Sequence, residues 1–426
     1  MGKCFRFGEF TLFPEVGDLY KKNRKVRISS HSALFLSTLL EAPGKVVSRE
    51  ILESRLWSKN EVGSNNLNVV TSNTRKVLLD NPANPKFIKT VGRRGYCFIH
   101  PFSTDDKTPQ APTLADSYWR GLYRLEERSE NSLKSSIKDF KQAIADNPSN
   151  ALAWAGLADA FIMAAMNGMI SPEDAYLRAR SAAGRALRID PGLTEAKCSE
   201  SWVKLCYDRN WEEAYAGFSE VIAAKPYYPF AWNGLSLLLN AQGRPAEAIS
   251  AMRTAWTHDA VSPLLSASLG LVHYFTRRFS EAIVHAERAL LFNEDSFLAH
   301  ACLGESCLQL ADYQRAVEHL GRAHELSQSP AMYGRLGYAY SVAGDMSNAQ
   351  RVLSDLLQAR ARRHVPAYGI ALVYLGLGDT QQALNHLEQA FDEHSHWVLF
   401  LRVEPMLDSI REDSRFASLV RRIGLP

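Results

Sequence analysis

The feature that most constrains this chain is a period. Ala214, Ala248, Ala282, Ala316, Ala349 and Ala383 recur at steps of 34, 34, 34, 33 and 34 residues. A second series follows seven residues behind, at Val221, Ala255, Ala289, Ala323, Leu356 and Ala390. With alanine at roughly one residue in ten, six in register arise by chance on the order of once in a million for a given phase, so a repeat architecture is strongly favoured. Twelve residues ahead of three of these alanines stand Gly270, Gly304 and Gly337, each preceded by a leucine. Small residues at such points let two antiparallel helices approach closely, while the large flanking ones fill the space between repeats.

This spacing resembles the tetratricopeptide repeat. Its Trp-x-x-Leu opening is readable at Trp154/Leu157 and Trp232/Leu235, and Pro148, Pro191 and Pro226 end second helices. The resemblance covers residues 116–395, about eight helical hairpins, with residues 396–426 expected as a C-terminal helical cap. Such arrays bind partners on a concave surface. The pairs Asn233 and Leu237, Ala267 and Leu271, and Ala301 and Glu305 lack the Lys and Asn set with which some arrays clamp a peptide carboxylate. Self-association and a protein or small-ligand partner therefore both stand as roles for the array.

Ahead of the array, residues 101–115 (PFSTDDKTPQAPTLA) carry almost no large apolar side chain and read as a linker. The first 100 residues hold 17 basic against 8 acidic side chains, a net +9, while the remainder carries −6. A compact basic module attached to a mildly acidic body suggests contact with a polyanion. Short aromatic and β-branched runs punctuated by Gly8, Pro14 and Gly17 predict several strands before residue 28. A first helix is expected from Ser29 through Leu40, stopped by Pro43-Gly44, and a second from the N-cap Ser48 to a core-anchoring Trp57. A third, from Ser64 to Leu79, turns Leu67, Thr71, Thr74 and Leu78 inward and presents Asn66, Val69, Val70 and Asn73, with Arg75 and Lys76 beside them. Residues 87–99 read as a closing β-hairpin.

Three ordered blocks carry a second resemblance: Pro43-Gly44-Lys45-Val46-Val47-Ser48-Arg49-Glu50, then Thr74-Arg75-Lys76-Val77-Leu78, then Phe87-Ile88-Lys89-Thr90-Val91 before Gly92-Arg93-Arg94-Gly95-Tyr96. Residues 1–100 resemble the winged-helix effector domain of OmpR/PhoB-type regulators. The fold implied is mainly α: an N-terminal winged-helix α+β DNA-binding domain followed by a tetratricopeptide-type α-solenoid. The resemblance implies that the third helix enters the major groove, where Asn pairs with adenine and an apolar side chain touches the thymine methyl. It also implies that the hairpin is a wing, placing Lys89, Thr90, Arg93 and Arg94 against the backbone or minor groove, with Arg49, Lys59 and Lys86 as further phosphate contacts. Asn65, Val70, Ser72, Asn73 and Gly92 stand where relatives are often basic or His, so sequence specificity does not transfer.

The combined architecture resembles the HilA group of bacterial regulators and, more loosely, the CadC type. It implies promoter DNA and RNA polymerase as partners and activation of virulence or secretion genes; a repeat adaptor binding nucleic acid without specificity is the alternative. No receiver domain is expected ahead of the first strands, so control by aspartyl phosphorylation is not expected. The six cysteines show no zinc-ligand spacing, and the N-terminus has no basic-then-apolar leader, both of which fit a cytoplasmic setting. Residues 151–170 approach membrane length but are broken by Asp159 and Asn167, so a repeat helix is the expectation there. No P-loop, HExxH, GxSxG or GxGxxG stands in context, so neither enzymatic activity nor a cofactor is expected. His386, His394 and His396 are the nearest approach to a metal cluster, and their placement at a helix end argues against one.

Overall fold

The computed structural model describes residues 4–14, 17–22, 24–26, 28–42, 44–56, 64–92, 94–104, 116–226, 228–258 and 262–424. They belong to two compact units, residues 1–126 with 135–153 and residues 127–134 with 154–426.

The first unit opens on β1 (Phe5–Phe7), β2 (Phe10–Phe13), β3 (Asp18–Lys21) and β4 (Arg24–Val26). Three helices follow, α1 (Ser30–Glu41), α2 (Arg49–Leu56) and α3 (Ser64–Leu78). Strand β5 (Val47–Ser48) precedes α2, and β6 (Ile88–Val91) with β7 (Gly95–Phe98) forms the closing hairpin. Ser29 caps α1, its hydroxyl accepting from Ser32 N at 3.1 Å, and Ser48 Oγ accepts from Ile51 N at the head of α2. Composition places residues 102–104 in the linker, yet Phe102–Thr104 form a strand, β8, that pairs antiparallel with β1 in a sheet ordered β4-β3-β2-β1-β8. The reason is aromatic packing: Phe102 meets Phe5 and Phe98 edge-on at 5.7 and 6.1 Å. Phe5, Phe7, Phe35, Leu36, Leu67 and Phe98 form the centre of one core beneath all three helices. Pro43, Trp57 and Lys59 lie outside the described residues.

Helices α4 (Asp116–Glu127) and α5 (Glu130–Asp146) make the first hairpin, joined where Ser136 Oγ donates to Gly121 O and Arg124 pairs with Asp139. In the second unit come α6 (Ala151–Met166), α7 (Pro172–Ile189), α8 (Thr194–Val203), α9 (Trp211–Ala224), α10 (Pro229–Ala241), α11 (Pro245–His258) and α12 (Pro263–Phe275). Then follow α13 (Phe279–Phe292), α14 (Phe297–Gln309), α15 (Tyr313–Ser327), α16 (Pro330–Val342), α17 (Met346–Arg360), α18 (Ala367–Gly376), α19 (Thr380–Asp392) and α20 (Ser414–Arg422). A single π-helical turn, Lys204–Asp208, extends α8. Residues 151–166 are a repeat helix, and no helix among the described residues is long and apolar enough to cross a membrane.

The periodic alanines are the contact line of these pairs. All six of the first series are fully buried on second helices, and Val221, Ala255, Ala289, Ala323, Leu356 and Ala390 are buried one turn-pair later. The glycines twelve residues ahead lie on the facing helices. A Cβ on Gly304 would stand 2.7 Å from Leu320 Cγ and 3.0 Å from Ala316 O, and one on Gly337 would stand 2.7 Å from Val352 Cγ1. Pairs packed this closely curve the array until it returns on itself. Ser329 Oγ donates to Asn167 O at 2.6 Å, Arg363 lies 3.3 Å from Glu130, and Arg209 donates to Phe391 O at 2.6 Å.

The end of the chain departs from the expected terminal cap. Residues 396–411 do not extend the stack; they run in two 3₁₀ turns, His396–Phe400 and Pro405–Ile410, along the inside of the array. The segment is there because it buries a broad apolar face: Val398, Leu399, Phe400, Leu401, Met406 and Leu407 are all buried, while Arg402, Asp408 and Ser409 stay exposed. Helix α20 beyond it packs on α19, where Arg415 pairs with Glu388 at 2.9 Å.

Three outcomes are expected from this packing. Gly304→Val is expected to lower stability by about 1–3 kcal/mol, the usual cost of overpacking. Gly321→Ala on α15, whose added Cβ meets nothing within 4 Å, is expected to raise stability by up to about 1 kcal/mol. Urea midpoints of the full chain check both. The third concerns His273, buried with neither ring nitrogen hydrogen-bonded and stacked on His285 at 5.2 Å. Burial first, and His285 second, lower its pKa to about 4. A folded-state pKa below the unfolded value near 6.5 gives stability that is whole above that pH and lost as pH falls toward 4. Thermal melts of His273→Phe are therefore expected to lose less stability than wild type between pH 6.5 and pH 4.

Candidate nucleic-acid interface

Helix α3 owes its orientation to one buried stripe. Leu67, Val70, Thr71, Thr74 and Leu78 are all buried, which sets the helix phase. The two threonines, smaller than an apolar core residue, satisfy their hydroxyls by donating to the carbonyls one turn back, Leu67 O and Val70 O, both at 2.8 Å. The exposed face then centres on Val69, 52% exposed, with Ser72 and Lys76, flanked by Asn68 and a half-buried Asn73. Val70 was expected on this outward face and is corrected to the core, where it is 8% exposed. The sequence stripe is consistent with either phase, because Val70 lies only about 60° from Leu67 at 100° per residue. For Asn66 the backbone is helical and the side chain is outside the described residues, as is Arg93.

Arg75, expected beside the outward face, has a second duty. Its Nη2 donates to Ile88 O and to Thr90 Oγ1, each at 2.8 Å, so it ties α3 to β6 and occupies the Thr90 hydroxyl as acceptor. Asp80 fixes the entry to the same strand: its buried carboxylate accepts from Lys86 N, Phe87 N and Ile88 N at 2.6, 3.3 and 2.8 Å. Arg49 is likewise engaged, its guanidinium donating to Asn68 Oδ1 at 3.2 Å and Tyr96 OH at 3.4 Å, while Tyr96 OH donates to Asn68 Oδ1 at 3.1 Å. Asn68 and Tyr96 line the groove beside α3 and are not among the residues expected there from the sequence. Their signal was the Arg49/Asn68/Tyr96 set of polar side chains, which only the fold brings together.

The wing is held by close backbone contact. A Cβ at Gly95, where φ is +150°, would collide with Val47 O, so β7 can approach β5 only with glycine there. The turn closes through Arg94 N donating to Val91 O at 3.1 Å, and Lys89 and Arg94 project exposed from either side of it. An open groove between α3 and the hairpin is lined by Asn68, Ser72, Arg75, Lys76, Thr90 and Tyr96. Helix α3 carries no acidic residue. An acid-free helix face and a basic hairpin tip at its side are the parts that a major groove and its flanking phosphates require.

Residues 23–98 match the family described as "Transcriptional regulatory protein, C terminal". The domain is an OmpR/PhoB-type winged-helix DNA-binding domain. The region after it is tetratricopeptide-like, a run of paired helices. Among proteins of known function, the chain is similar to the cholera toxin homolog transcriptional activator of Vibrio parahaemolyticus, 35% identical over 95 residues, which is 21% of this chain and 32% of that one. It is also similar to the transcriptional regulator HilA of Salmonella typhi, 31% identical over 111 residues, 26% of this chain and 20% of that one. The match thus spans a third or less of these relatives' length. Among solved structures, the Cut9–Hcn1 hetero-tetramer of the APC/C is similar over 72% of this chain and 62% of that one, at 19% identity and a TM-score of 0.46.

The three histidines near the end of the repeats lie apart. His386 stacks on Tyr374, His394 Nδ1 lies 2.9 Å from Tyr207 O, and His396 Nδ1 lies 3.4 Å from Cys206 Sγ. No group of three metal-ligating side chains occurs among the described residues. The adjacent valines of α3 provide a direct check of its phase. Val70→Ala is expected to cost about 1–2 kcal/mol of stability, and Val69→Ala less than about 0.5 kcal/mol; equal losses in chemical denaturation would mean that the phase is wrong.

Proposed function

We propose that the protein is a sequence-specific, DNA-binding transcriptional regulator, acting as an activator at promoters, whose repeat array senses a partner or effector or mediates oligomerisation. The observation that carries this reading is the exposed face of α3, Val69, Ser72, Asn73 and Lys76, free of acid and set beside a wing tipped by Arg94. Polar and apolar side chains on that face suit base edges, and the wing cations suit phosphate. Activation is supported by the similar relatives that are described as transcriptional activators. Promoter DNA and RNA polymerase, in the cytoplasm, are the partners this reading gives the chain. Arg75 contributes by fixing the wing to α3, and Thr90 by accepting that bond.

The test uses the full chain and fragmented genomic DNA under rising salt. A subset of fragments is expected to stay bound after bulk DNA has been released; release of all fragments together would leave only non-specific binding. Arg94→Ala is expected to weaken binding to all fragments alike and to lower the slope of log K against log salt by about 1. Val69→Ala and Asn73→Ala are expected to reorder the preferred fragments at nearly unchanged salt slope.

A further inference from the structure

The inside of the array holds a built site for a carboxylate. Tyr274 on α12, Arg335 on α16 and Tyr368 on α18 converge there, each fully buried. The carboxylate they hold is Glu404, from the segment that runs through the interior. Tyr274 OH donates to its Oε1 at 2.5 Å, Tyr368 OH lies 3.5 Å from its Oε2, and Met406 N donates to Oε1 at 3.3 Å. Seven residues earlier Trp397 lies under the Arg335 guanidinium at 4.0 Å, and four residues earlier Phe400 stacks on Phe275 at 4.8 Å. The receptor belongs to the array, and the ligand is a short stretch whose aromatic pair and Glu404 enter the site, while its second acid, Asp408, pairs with Arg277.

That ligand fills the receptor incompletely. Arg335 Nη1 donates to Glu305 at 2.5 Å, but its Nη2 stands 3.8 Å from Glu404 Oε2, beyond hydrogen-bonding distance. Arg335 Nε and Nη2 have no hydrogen-bond partner, and the buried indole N–H of Trp397 has none either. An arginine at such a site can bind a carboxylate through two parallel bonds, which are among the strongest a protein makes. Contacts outside the site flank the segment, His394 with Tyr207 before it and Trp211 Nε1 donating to Ile423 O at 3.4 Å after it, and within it Asp408 accepts from Arg277 Nη1 and Nη2 at 2.5 and 2.7 Å.

We propose that this inner wall is a receptor for a short segment of a partner protein wound in 3₁₀ turns, bearing aromatic residues seven and four positions before a carboxylate, and that residues 396–411 occupy it in cis until such a segment displaces them. The partner's carboxylate takes Tyr274, Tyr368 and both free nitrogens of Arg335, and its aromatic side chains replace Trp397 and Phe400. The cis segment competes at an effective concentration on the order of millimolar, as tethered ligands do. This rests on the array being the sensing part of the protein and names the chemistry that it senses.

The probe is a synthetic peptide of residues 394–412, isotope-labelled so that its fragments differ in mass from the protein's, offered to the full chain without DNA. With wild type, saturating peptide is expected to speed hydrogen exchange in residues 396–411 while α12, α14 and α16 keep their protection. The full chain carrying Glu404→Gln, which leaves Glu305 to neutralise Arg335, is expected to bind the peptide at least tenfold tighter than wild type. A peptide with the same change is expected to bind at least tenfold weaker to that chain. The proposal is overturned if the peptide binds neither chain, if affinity ignores Glu404 in both molecules, or if residues 396–411 open only together with α12, α14 and α16. Because DNA is absent, failure here leaves the promoter-binding reading standing, and failure of that reading does not touch this result.

Discussion

The close approach of helices at alanine and glycine governs the larger part of this molecule. A methyl group or a hydrogen at each crossing leaves backbone nearly against backbone, as at Gly304 beside Ala316 O. Helices packed at that distance fix the turn from one pair to the next, because interiors are close-packed and deform little. The accumulated turn brings Asn167 to Ser329 and Glu130 to Arg363. A wall curved this tightly encloses a narrow, largely apolar interior, and apolar surface left facing water is costly at roughly 25 cal/mol per Å². Residues 396–411 cover it.

Covering the wall buried charges as well as hydrocarbon. Arg335 is almost wholly enclosed, and Glu305 and Glu404 both face it. Burial pushes the Glu305 carboxyl up from its usual range, with Arg335 pulling down and Glu404 pushing up. Removing one member of a buried ion pair commonly costs about 3–5 kcal/mol, because the other charge is left unpaired. Glu305 on α14 is the close partner of Arg335 on α16, and Glu404 is the charge that the C-terminal segment brings to them. A role in specifying which segment occupies the interior accounts for charges that an apolar core would not need.

In the basic domain the organising contacts are polar and local. Asp80 gathers three backbone N–H groups at the start of β6, and Arg75 spans from α3 to the same strand. The hairpin tip is thereby placed at a fixed distance from the helix face, which is what a reader of groove and backbone needs. Arg75 shows how a cation on a helix flank can serve the architecture of an interface. Its charge still adds to the local potential, while its donors are spent within the protein.

Much of this was legible in the sequence. The alanine period alone gives paired helices and their contact line, because a repeated crossing demands the same small side chain each time. The three ordered blocks and the local charge of +9 give a winged helix that meets a polyanion. Caps at Ser29 and Ser48 are local hydrogen bonds and could be read from local sequence. Tertiary structure decided what depends on residues far apart in the chain. Val70 went inward because the core beneath α3 needed one more apolar group than the stripe alone specified. Phe102 joined the sheet because Phe5 and Phe98 were waiting for it. The tail entered the array because closure created an interior, and no single repeat carries the information that the wall will curve back far enough to need a filling.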